Sequence, residues 1–369
     1  MNIEIPRAAL LPVLAVVSGV VERRQTLPIL GNLLLGASTD GVAVRGTDLE
    51  LEIATRASAD VVDQGQVTVP ARKFFDICRA LPEAARIRVR SEGDRVVVSS
   101  GRSRFTLSTL PAADFPAMEM GDVDFAIELP ALVLKRLLEK TAFAMAQQDV
   151  RYYLNGMLLE LRDGALVAVA TDGHRLAKIA TALPAGVTAP ETPRQVIVPS
   201  KSVVELKRLL PAEDVPVRLE VAERTLRIGF GETSVVSKLV DGRYPEYERV
   251  IPKELPRMAR IDKESLRGAL HRAAILSTEK YKGVRVTFAT GLLGLQSQNP
   301  EKEEAEDAVE MDYEGDSVVI GFNVGYIMDV INAVDPQRIE VHFRDADGSS
   351  VWLGEGTEDE TFVIMPMRL

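Results

Sequence analysis

The segment ATDGHRLA, residues 170–177, places an acid and a histidine two positions apart at the end of an apolar run. Asp172 and His174 are residue types suited to general acid–base chemistry, and Arg175 follows them directly. A hydrolase would also need a nucleophile and a group that orients the base, and serine and threonine are too common here to exclude one. No GxSxG motif is present. Two other interpretations stay open: a capped turn without a binding role, and the wall of a binding pocket.

Other motifs for catalysis or cofactor binding are missing from the sequence. His271 and His342 lack the HExxH spacing of a zinc site, so we expect no metal. No Gly-Lys dipeptide occurs, which excludes a Walker A loop, and we expect no cofactor. Cys78 is the single cysteine; it rules out an intramolecular disulfide and favours the reducing cytoplasm. Its apolar position in KFFDICRAL predicts a buried, inert thiol.

Length and composition favour a multidomain globular chain. The 369 residues predict two or three domains, and an apolar fraction of 46% is enough for real cores. No apolar run is long enough to span a membrane. The N-terminal apolar stretch is interrupted by Pro6, Arg7 and Pro12, so we predict no signal peptide.

The sequence repeats itself three times. VPARKFFDICRALP (69–82) and VPSKSVVELKRLLP (198–211) share a Val-Pro step, basic residues, an amphipathic helix pattern and a Leu-Pro stop, and GFNVGYIMDVINAVDP (321–336) is a third version. The period of about 125 residues is far longer than that of a solenoid repeat, so each copy is a whole domain. We predict domains at 1–121, 122–251 and 252–369.

Within each copy the pattern predicts a helix, several strands, a second helix and further strands. Alternating apolar and polar residues joined by a glycine turn, as in RIRVRSEGDRVVVSSGRSRFTLSTL, indicate half-buried antiparallel hairpins. Hairpin runs without strict strand–helix alternation favour an α+β fold with antiparallel sheets.

Charge is distributed unevenly. The net charge of −10 argues against nucleic acid, but the first two copies are almost neutral and the third, with 13 basic and 22 acidic residues, carries nearly all of it. Basic residues concentrate on the predicted helices: Arg7, Arg72, Lys73, Arg79, Lys135, Arg136, Lys140, Lys201, Lys207, Arg208, Lys263, Arg267 and Arg272. They are either ordinary solvated helix faces or a surface that attracts a phosphate backbone without reading sequence.

The two ends of the chain carry opposite charge beside apolar residues. Lys73, Arg102 and Arg104 lie near Phe105 and Leu107 in the first copy. The third copy has the acids Glu301, Glu303, Glu304 and Glu306, with Ile275 and Leu276 at a helix end. The apolar residues are either core or contact surface. As contact surface they predict head-to-tail pairing, which gives a ring if the rotation closes.

Long motifs are spread along the whole chain: TLPILGNLLL, GTDLE, VPARKFFDICR, SGRSRFTLSTLPAADFP, QDVRYYLNGM, ATDGHRLA, SKLVDGRYPEY, NPEKEEAE and MPMRL. Together they resemble the motifs of the bacterial DNA polymerase III β subunits, the sliding clamps. The resemblance implies a homodimeric ring of six similar domains, with twelve helices around double-stranded DNA and sheets outside. It further implies a non-catalytic processivity factor. Its partners would be the DNA polymerase III catalytic subunit, the clamp loader, other polymerases and repair proteins, each docking through a short peptide.

The resemblance also assigns residues. It places a peptide pocket at Leu154, Thr171, Gly173, His174, Arg175, Leu176, Pro245, Arg249, Val250, Val363, Ile364, Met365, Pro366, Met367, Arg368 and Leu369. It makes Arg24, Gln148, Tyr152 and Tyr153 DNA contacts, and Lys201 and Arg208 are plausible phosphate contacts on a helix. A hairpin loop with its tyrosines packed on the sheet is the alternative for QDVRYYLNG. The dimer interface would comprise Lys73, Arg102, Arg104, Phe105, Leu107, Ile275, Leu276, Glu301, Glu303, Glu304 and Glu306.

Two rival functions remain at this point. One is a monomeric protein that binds DNA through charge alone, and the other is a hydrolase that uses Asp172 and His174. We expect a cytoplasmic, non-catalytic sliding clamp.

Overall fold

The structure is a computed structural model, and it describes residues 1–22, 27–184, 193–277 and 282–368. Every copy of the repeat is built from two successive segments with the order strand, helix, three strands. The sequence patterns missed the opening strand of each copy, because a helix follows each of these strands at once.

The first copy has one additional short strand, β5. Its elements are β1 (Asn2–Pro6), α1 (Arg7–Ser18), β2 (Asn32–Ser38), β3 (Gly41–Thr47), β4 (Leu51–Ala57), β5 (Asp60–Asp63), β6 (Gly65–Pro70), α2 (Ala71–Ala80), β7 (Arg86–Glu92), β8 (Arg95–Ser100) and β9 (Ser103–Ser108).

The second and third copies have identical element orders. The second comprises β10 (Val123–Pro130), α3 (Ala131–Thr141), β11 (Gly156–Arg162), β12 (Ala165–Thr171), β13 (Arg175–Ala182), β14 (Arg194–Pro199), α4 (Ser200–Leu209), β15 (Pro216–Ala222), β16 (Thr225–Phe230) and β17 (Thr233–Lys238). The third comprises β18 (Arg257–Asp262), α5 (Lys263–Ala273), β19 (Gly283–Ala289), β20 (Leu292–Gln298), β21 (Glu304–Asp312), β22 (Val318–Asn323), α6 (Val324–Ala333), β23 (Arg338–Phe343), β24 (Ser350–Gly354) and β25 (Glu360–Ile364). Short 3-10 helices occupy Pro28–Gly31, Ala112–Asp114, Ala142–Ala144, Tyr152–Leu154, Tyr247–Arg249 and Ala274–Leu276.

The helices begin in two ways. In the first two copies a proline ends the preceding strand and the helix starts at the next residue, as at Pro6 and Pro70. Proline suits this boundary because it lacks the N–H that a strand partner would require. In the third copy a side chain caps the helix: Asp262 accepts a hydrogen bond from the Ser265 N–H at 2.8 Å, and Asn323 accepts one from Gly325 at 2.9 Å.

A cation on the first helix caps the second helix in all three copies. Arg7 Nε donates to the carbonyl of Cys78 at 2.9 Å, Lys135 Nζ donates to Leu210 at 3.3 Å, and Lys263 Nζ donates to Val334. These carbonyls are at helix C-termini, which lack intrahelical donors and carry partial negative charge. Three of the basic residues noted in the sequence therefore hold helix pairs together.

The chain divides into two compact units, Met1–Lys135 with Lys201–Leu239, and Arg136–Ser200 with Val240–Leu369. The first unit contains a sheet with the order β5-β1-β7-β8-β9 and an eight-stranded sheet with the order β10-β15-β16-β17-β4-β3-β2-β6. The second unit contains a twelve-stranded sheet with the order β14-β11-β12-β13-β25-β24-β23-β18-β21-β20-β19-β22. The described strand pairs are antiparallel, as predicted.

Each unit has an apolar interior under its sheets. Phe74 and Cys78 are fully buried in the first unit, and Trp352, Phe362 and Phe343 are buried in the second. The prediction of a buried Cys78 is confirmed, and burial raises the pKa of its thiol to about 12. Within the described residues, no helix is long and apolar enough to cross a membrane.

Candidate functional site

The Thr171–Arg175 segment forms a tight hydrogen-bonded turn between β12 and β13. Asp172 Oδ1 accepts from the backbone N–H groups of His174 and Arg175 at 2.9 and 3.0 Å. Thr171 Oγ1 donates to the Arg175 carbonyl at 2.6 Å and accepts from the Gly173 N–H at 3.1 Å. The polar groups that suggested chemistry in the sequence therefore satisfy the backbone of the turn.

The same turn is present in the first copy, where it joins β3 to β4. Asp48 Oδ1 accepts from the N–H groups of Glu50 and Leu51 at 2.9 and 2.7 Å, and Thr47 Oγ1 donates to the Leu51 carbonyl at 3.0 Å. Glu50 occupies the position of His174. Because an Asp makes these bonds without a histidine nearby, Asp172 is explained by turn formation, and the catalytic interpretation of the pair loses its support.

Gly173 occupies a left-handed backbone position under an arginine. Its φ is +89°, and a Cβ placed there would lie 3.1 Å from two nitrogens of the Arg151 guanidinium. Arg151 donates to the Asp172 carbonyl at 3.2 Å and forms an ion pair with Asp149 at 2.8 Å. The sequence analysis did not identify Arg151 as a part of this site. The only sequence signal was Gly173 in TDG, because a glycine at a turn indicates a left-handed backbone or a close neighbour.

An apolar cluster lies beside the turn on one face of the twelve-stranded sheet. It joins strands β14, β11, β12, β13, β25 and β24 and contains Leu154, Leu176 and Val363. The segment after β17 covers it, because Tyr244 and Tyr247 are buried members of the same cluster. The Thr171 N–H donates to Tyr244 Oη at 3.1 Å, which fixes this segment to the turn.

Arg175 and Ile364 do not line this face. They are register partners across β13 and β25, while Leu176 pairs with Val363, and adjacent strand residues point to opposite faces. Arg175 bonds to Asp172 at 3.1 Å and to Asp329, and it stacks 4.4 Å from the ring centroid of Tyr326. Strand alternation therefore turns both side chains to the opposite face of the sheet, and their assignment to the pocket stays a prediction.

The C-terminal segment lies against the turn. The Met365 N–H donates to the His174 carbonyl at 2.9 Å, and the Met367 N–H donates to Gly321 at 2.8 Å. Met365 and Pro366 are half-buried, whereas Met367 and Arg368 are exposed. Leu369 lies outside the described residues.

The remaining predicted pocket residues form an accessible rim. Three of them are exposed, namely His174, Pro245 and Arg249, and Val250 is half-buried. Leu154, Leu176 and Val363 are buried at 2% exposure or less, so they form the floor below that rim. The rim, Met365 and Met367 together form the accessible surface above this floor.

The equivalent place in the first copy has a different character. There Glu52 takes the strand position of Leu176, and its carboxylate accepts from the Met118 N–H at 3.2 Å and lies 3.4 Å from Arg45. Burial raises the pKa of Glu52, although Arg45 opposes the shift. A charged residue covered by its own chain makes a poor floor for an apolar ligand.

The proposed DNA contacts differ in availability. Gln148 has a left-handed backbone with φ of +53° and is exposed, as is Tyr152, and Tyr153 packs on the apolar cluster. Lys201 instead pairs with Asp48 and Glu22. Burial lowers the pKa of its amine, but the hydrogen bonds to both carboxylates outweigh this effect, so the pKa is raised overall. Arg208 pairs with Glu205 at 2.7 Å and donates to the Val16 carbonyl at 2.9 Å. Arg24 lies outside the described residues.

The proposed interface residues lie on or next to strands β9 and β21, except Lys73 on α2 and Ile275 and Leu276 on a 3-10 helix. β9 is the last strand of its sheet, and on its open side the described chain pairs no strand with it. β21 pairs with β20 along its length, but with β18 only at Met311 and Asp312. Lys73, Arg102, Arg104, Glu301, Glu303, Glu304 and Glu306 are exposed. Ile275 is 71% exposed and Leu276 is half-buried, while Leu107 is only 8% exposed and belongs mainly to the core of the first copy.

Within the described residues, no cluster of His, Cys, Asp and Glu side chains has an arrangement that would hold a metal ion. The candidate site consists of the Thr171–Arg175 turn, the apolar floor beneath the rim, and the C-terminal segment with Met365 and Met367.

Three tandem α+β domains that share sheets define the protein as a sliding-clamp fold, and solved structures agree. A DNA polymerase sliding clamp from Pseudomonas aeruginosa has a TM-score of 0.95 at 45% identity, and Caulobacter crescentus pol III beta has 0.94 at 37%; both comparisons cover 100% of each chain. Another P. aeruginosa sliding clamp, 46% identical with a TM-score of 0.95, is bound to griselimycin.

Family models for the DNA polymerase III beta subunit match three successive parts: the N-terminal domain at residues 1–119, the central domain at 128–246 and the C-terminal domain at 248–368. The beta sliding clamps of Pseudomonas putida and Escherichia coli K12 are 47% and 46% identical over 100% of both chains. The chain belongs to the DNA polymerase III beta subunit family. It is a non-catalytic sliding-clamp subunit, and the hydrolase interpretation is wrong.

Proposed function

We propose that two copies of this chain close head to tail into a ring around duplex DNA and tether partner proteins through the site at Thr171–His174. The domains would be 1–121, 122–251 and 252–369, and the protein would work in the cytoplasm. The observation that carries this proposal is a strand junction that occurs twice within the chain.

Neighbouring copies join through equivalent strands. The third strand after the first helix of one copy pairs with the last strand of the next copy: β4 pairs with β17, and β13 pairs with β25. The registers are equivalent, since Leu51 faces Ser237 as Arg175 faces Ile364. In the third copy the corresponding strand is β21, and the last strand not used in a junction is β9.

We therefore expect β21 of one chain to pair with β9 of another. Transferring the register across the β20–β21 and β8–β9 hairpins sets Glu306 opposite Arg104, Ala305 opposite Phe105 and Glu304 opposite Thr106. Opposite charges face each other in this arrangement, which favours it over a shifted register. Lys73, Arg102, Ile275, Leu276, Glu301 and Glu303 would flank the strands. The contact is heterologous, and closure after two chains gives a ring.

Inside the ring, DNA would be held by topology and weak charge contacts. Gln148, Tyr152 and Tyr153 would touch the backbone and sugars, and Arg24 is proposed to join them. Lys201 and Arg208 keep their positive charge while paired, so they would contribute to the field around the phosphates more than to individual contacts. Such contacts leave the ring able to slide.

Partners would dock as short peptides between the rim and the apolar floor. Apolar anchors of the peptide would pack on Met365 and Met367, above the buried floor of Leu154, Leu176 and Val363, while His174 and Arg249 would supply polar contacts. The polymerase III catalytic subunit, the clamp loader, other polymerases and repair proteins are the proposed ligands. The pocket holds the partner, and the ring keeps it on DNA.

Retention on DNA tests this mechanism. The protein is loaded on nicked circular DNA by a clamp loader with ATP and washed in high salt, and the circle is then cut. We expect retention before cutting and loss through the ends afterwards. A protein that stays bound equally to circular and linear DNA, in a salt-dependent manner, would favour the monomeric charge-binding alternative.

A further inference from the structure

A polar cleft of about 320 Å³ lies at the end of β11, bordered by the segment from Arg243 to Lys253. Its sheet side consists of Glu160, Arg162 and Gln195. The established family function and the proposed peptide pocket leave this cleft without a role.

The floor of the cleft is a buried carboxylate with its hydrogen bonds satisfied. Glu160 is 2% exposed; it accepts from Gln195 Nε2 at 2.8 Å and from Tyr247 Oη at 2.6 Å. Burial raises the pKa of Tyr247, and the bond to Glu160 raises it further, so the phenol stays a donor. These bonds hold the Arg243–Lys253 segment against the sheet at Tyr247, as the Thr171 bond holds it at Tyr244.

The lining of the cleft carries four cations, Arg162, Arg243, Arg249 and Lys253, and three carboxylates, Glu160, Glu246 and Glu248. Arg162 pairs with Glu248 at 2.8 Å, and Arg249 pairs with Glu246 at 2.5 Å. Arg243 and Lys253 are exposed, and within the described part of the chain neither has an ion pair. A ligand that enters the cleft therefore meets two cations whose charge is not neutralised by a neighbour.

The cleft shares residues with the proposed peptide pocket. Pro245 and Arg249 border the cleft and belong to the pocket rim, and Tyr244 contacts both the turn and the cleft. A peptide seated on the apolar floor would extend its flanking residues past Pro245 towards Arg243 and Lys253.

We infer that this cleft binds the carboxylate side chains of acidic residues that flank the docking motif of a partner peptide. The inference rests on the proposed peptide pocket and extends it. Exposed charge pairs contribute modestly to affinity and more strongly to the choice between partners. The cleft would thus rank partners that share the same apolar motif.

Peptide binding to the full-length protein tests the inference. The probe is a fluorescent peptide carrying the clamp-binding segment of the polymerase III catalytic subunit, extended at either end by a short run of glutamates or of glutamines. For one of the two ends, we expect the glutamate form to bind about threefold to tenfold more tightly than the glutamine form at low salt. This preference should shrink in high salt, because exposed pairs are screened.

The double variant Arg243→Gln/Lys253→Gln should abolish the preference and leave the glutamine peptide unaffected. The matched control, Arg285→Gln/Arg344→Gln, removes the same charge from exposed sites elsewhere and should retain the preference; unchanged melting temperatures establish folding. Equal binding of both peptide forms to the unmodified protein, or a preference that survives in the double variant, overturns the inference. Failure of the glutamine peptide to bind at all instead counts against the peptide pocket.

Discussion

At the scale of single residues, the Thr171–Arg175 turn separates what the fold requires from what a ligand requires. Thr171 and Asp172 make the same backbone bonds as Thr47 and Asp48, so they belong to the fold. Gly173 and His174 replace Leu49 and Glu50, so they distinguish the copy that carries the proposed peptide pocket. A comparison between copies thus assigns roles that either segment alone leaves ambiguous.

Gly173→Ala should destabilise the protein by about 1 kcal/mol or more, because alanine is strained at φ of +89° and its Cβ meets the Arg151 guanidinium at 3.1 Å. We also expect weaker peptide binding, since Arg151 must move. Thermal unfolding and peptide titration measure the two effects. Gly229→Ala is the control, because nothing lies within 4 Å of its Cβ position. Equal stability of both variants would contradict the strain at this turn.

The Asp149 carboxylate should stay ionised well into the acid range. Hydrogen bonds from Arg151, first from its side chain and then from its backbone, lower the pKa of Asp149 to about 2 from 3.8. A lowered folded-state pKa stabilises the fold above the unfolded value, and this contribution disappears as pH falls from about 4 to 2. Carboxyl NMR should show little titration of Asp149 between pH 5 and pH 3, about the range where free Asp titrates. Arg151→Gln should shift its midpoint upwards; an unchanged midpoint would argue against the pair.

At the scale of elements, capping cations stabilise the helix pairs in addition to apolar burial. A capping cation recurs in all copies: Arg7 and Lys263 are the first residues of their helices, whereas Lys135 lies within its helix. Lys135 is one turn further along α3 than Lys263 is along α5. The comparison of the three copies in sequence therefore suggested that these cations could face a phosphate backbone. It did not show that each one caps the second helix of its copy.

Lys135→Met should lower the free energy of unfolding by about 1 kcal/mol, because the Leu210 carbonyl at the end of α4 loses its donor and a favourable charge. Chemical denaturation measures this change. Arg72→Met is the matched control: it removes an exposed cation from a helix without a recorded ion pair among the described side chains. If both variants lose the same stability, the cap is not the cause.

The sequence predicted the element types, the threefold repeat and the two helices per copy, because these depend on local periodicity and proline signals. The opening strands escaped it, since a helix follows each one directly and its longer pattern dominates the segment; in addition, Asn2–Pro6 has only five residues. The orientation of Arg175 and Ile364 also escaped it. Strand alternation fixes that orientation only when the first residue of β13 and its register with β25 are known.

At the scale of the whole molecule, sheet continuity explains why compact units and sequence repeats divide the chain differently. The second copy shares β17 with the first and β13 with the third, so its residues are split between both units. The sequence repeats mark the duplicated domain, whereas strand pairing determines which residues belong to one compact unit. The proposed dimer contact extends the same pairing beyond one chain.

Charge exchange across the proposed β9–β21 contact should reveal its register. Arg104→Glu or Glu306→Arg alone should weaken dimerisation, because like charges then face each other. The double variant should recover about 0.5 kcal/mol or more of the loss, measured as dimer dissociation by analytical ultracentrifugation. Glu310→Arg, on the same strand but further from the contact, is the control partner for Arg104→Glu. Recovery with Glu310→Arg instead would shift the register.

The repeated junction makes the peptide links between copies incidental to the proposed assembly. A copy presents one complementary edge at each side, and β4 with β17 uses the same register as β13 with β25. The assembly would then not depend on which junction between copies contains the chain termini. A circular permutant that begins at the second copy, with the old ends joined by a linker, would carry its covalent break at a different one of the equivalent seams. A shortened chain of two copies would need three chains, in place of two, to complete the same circle.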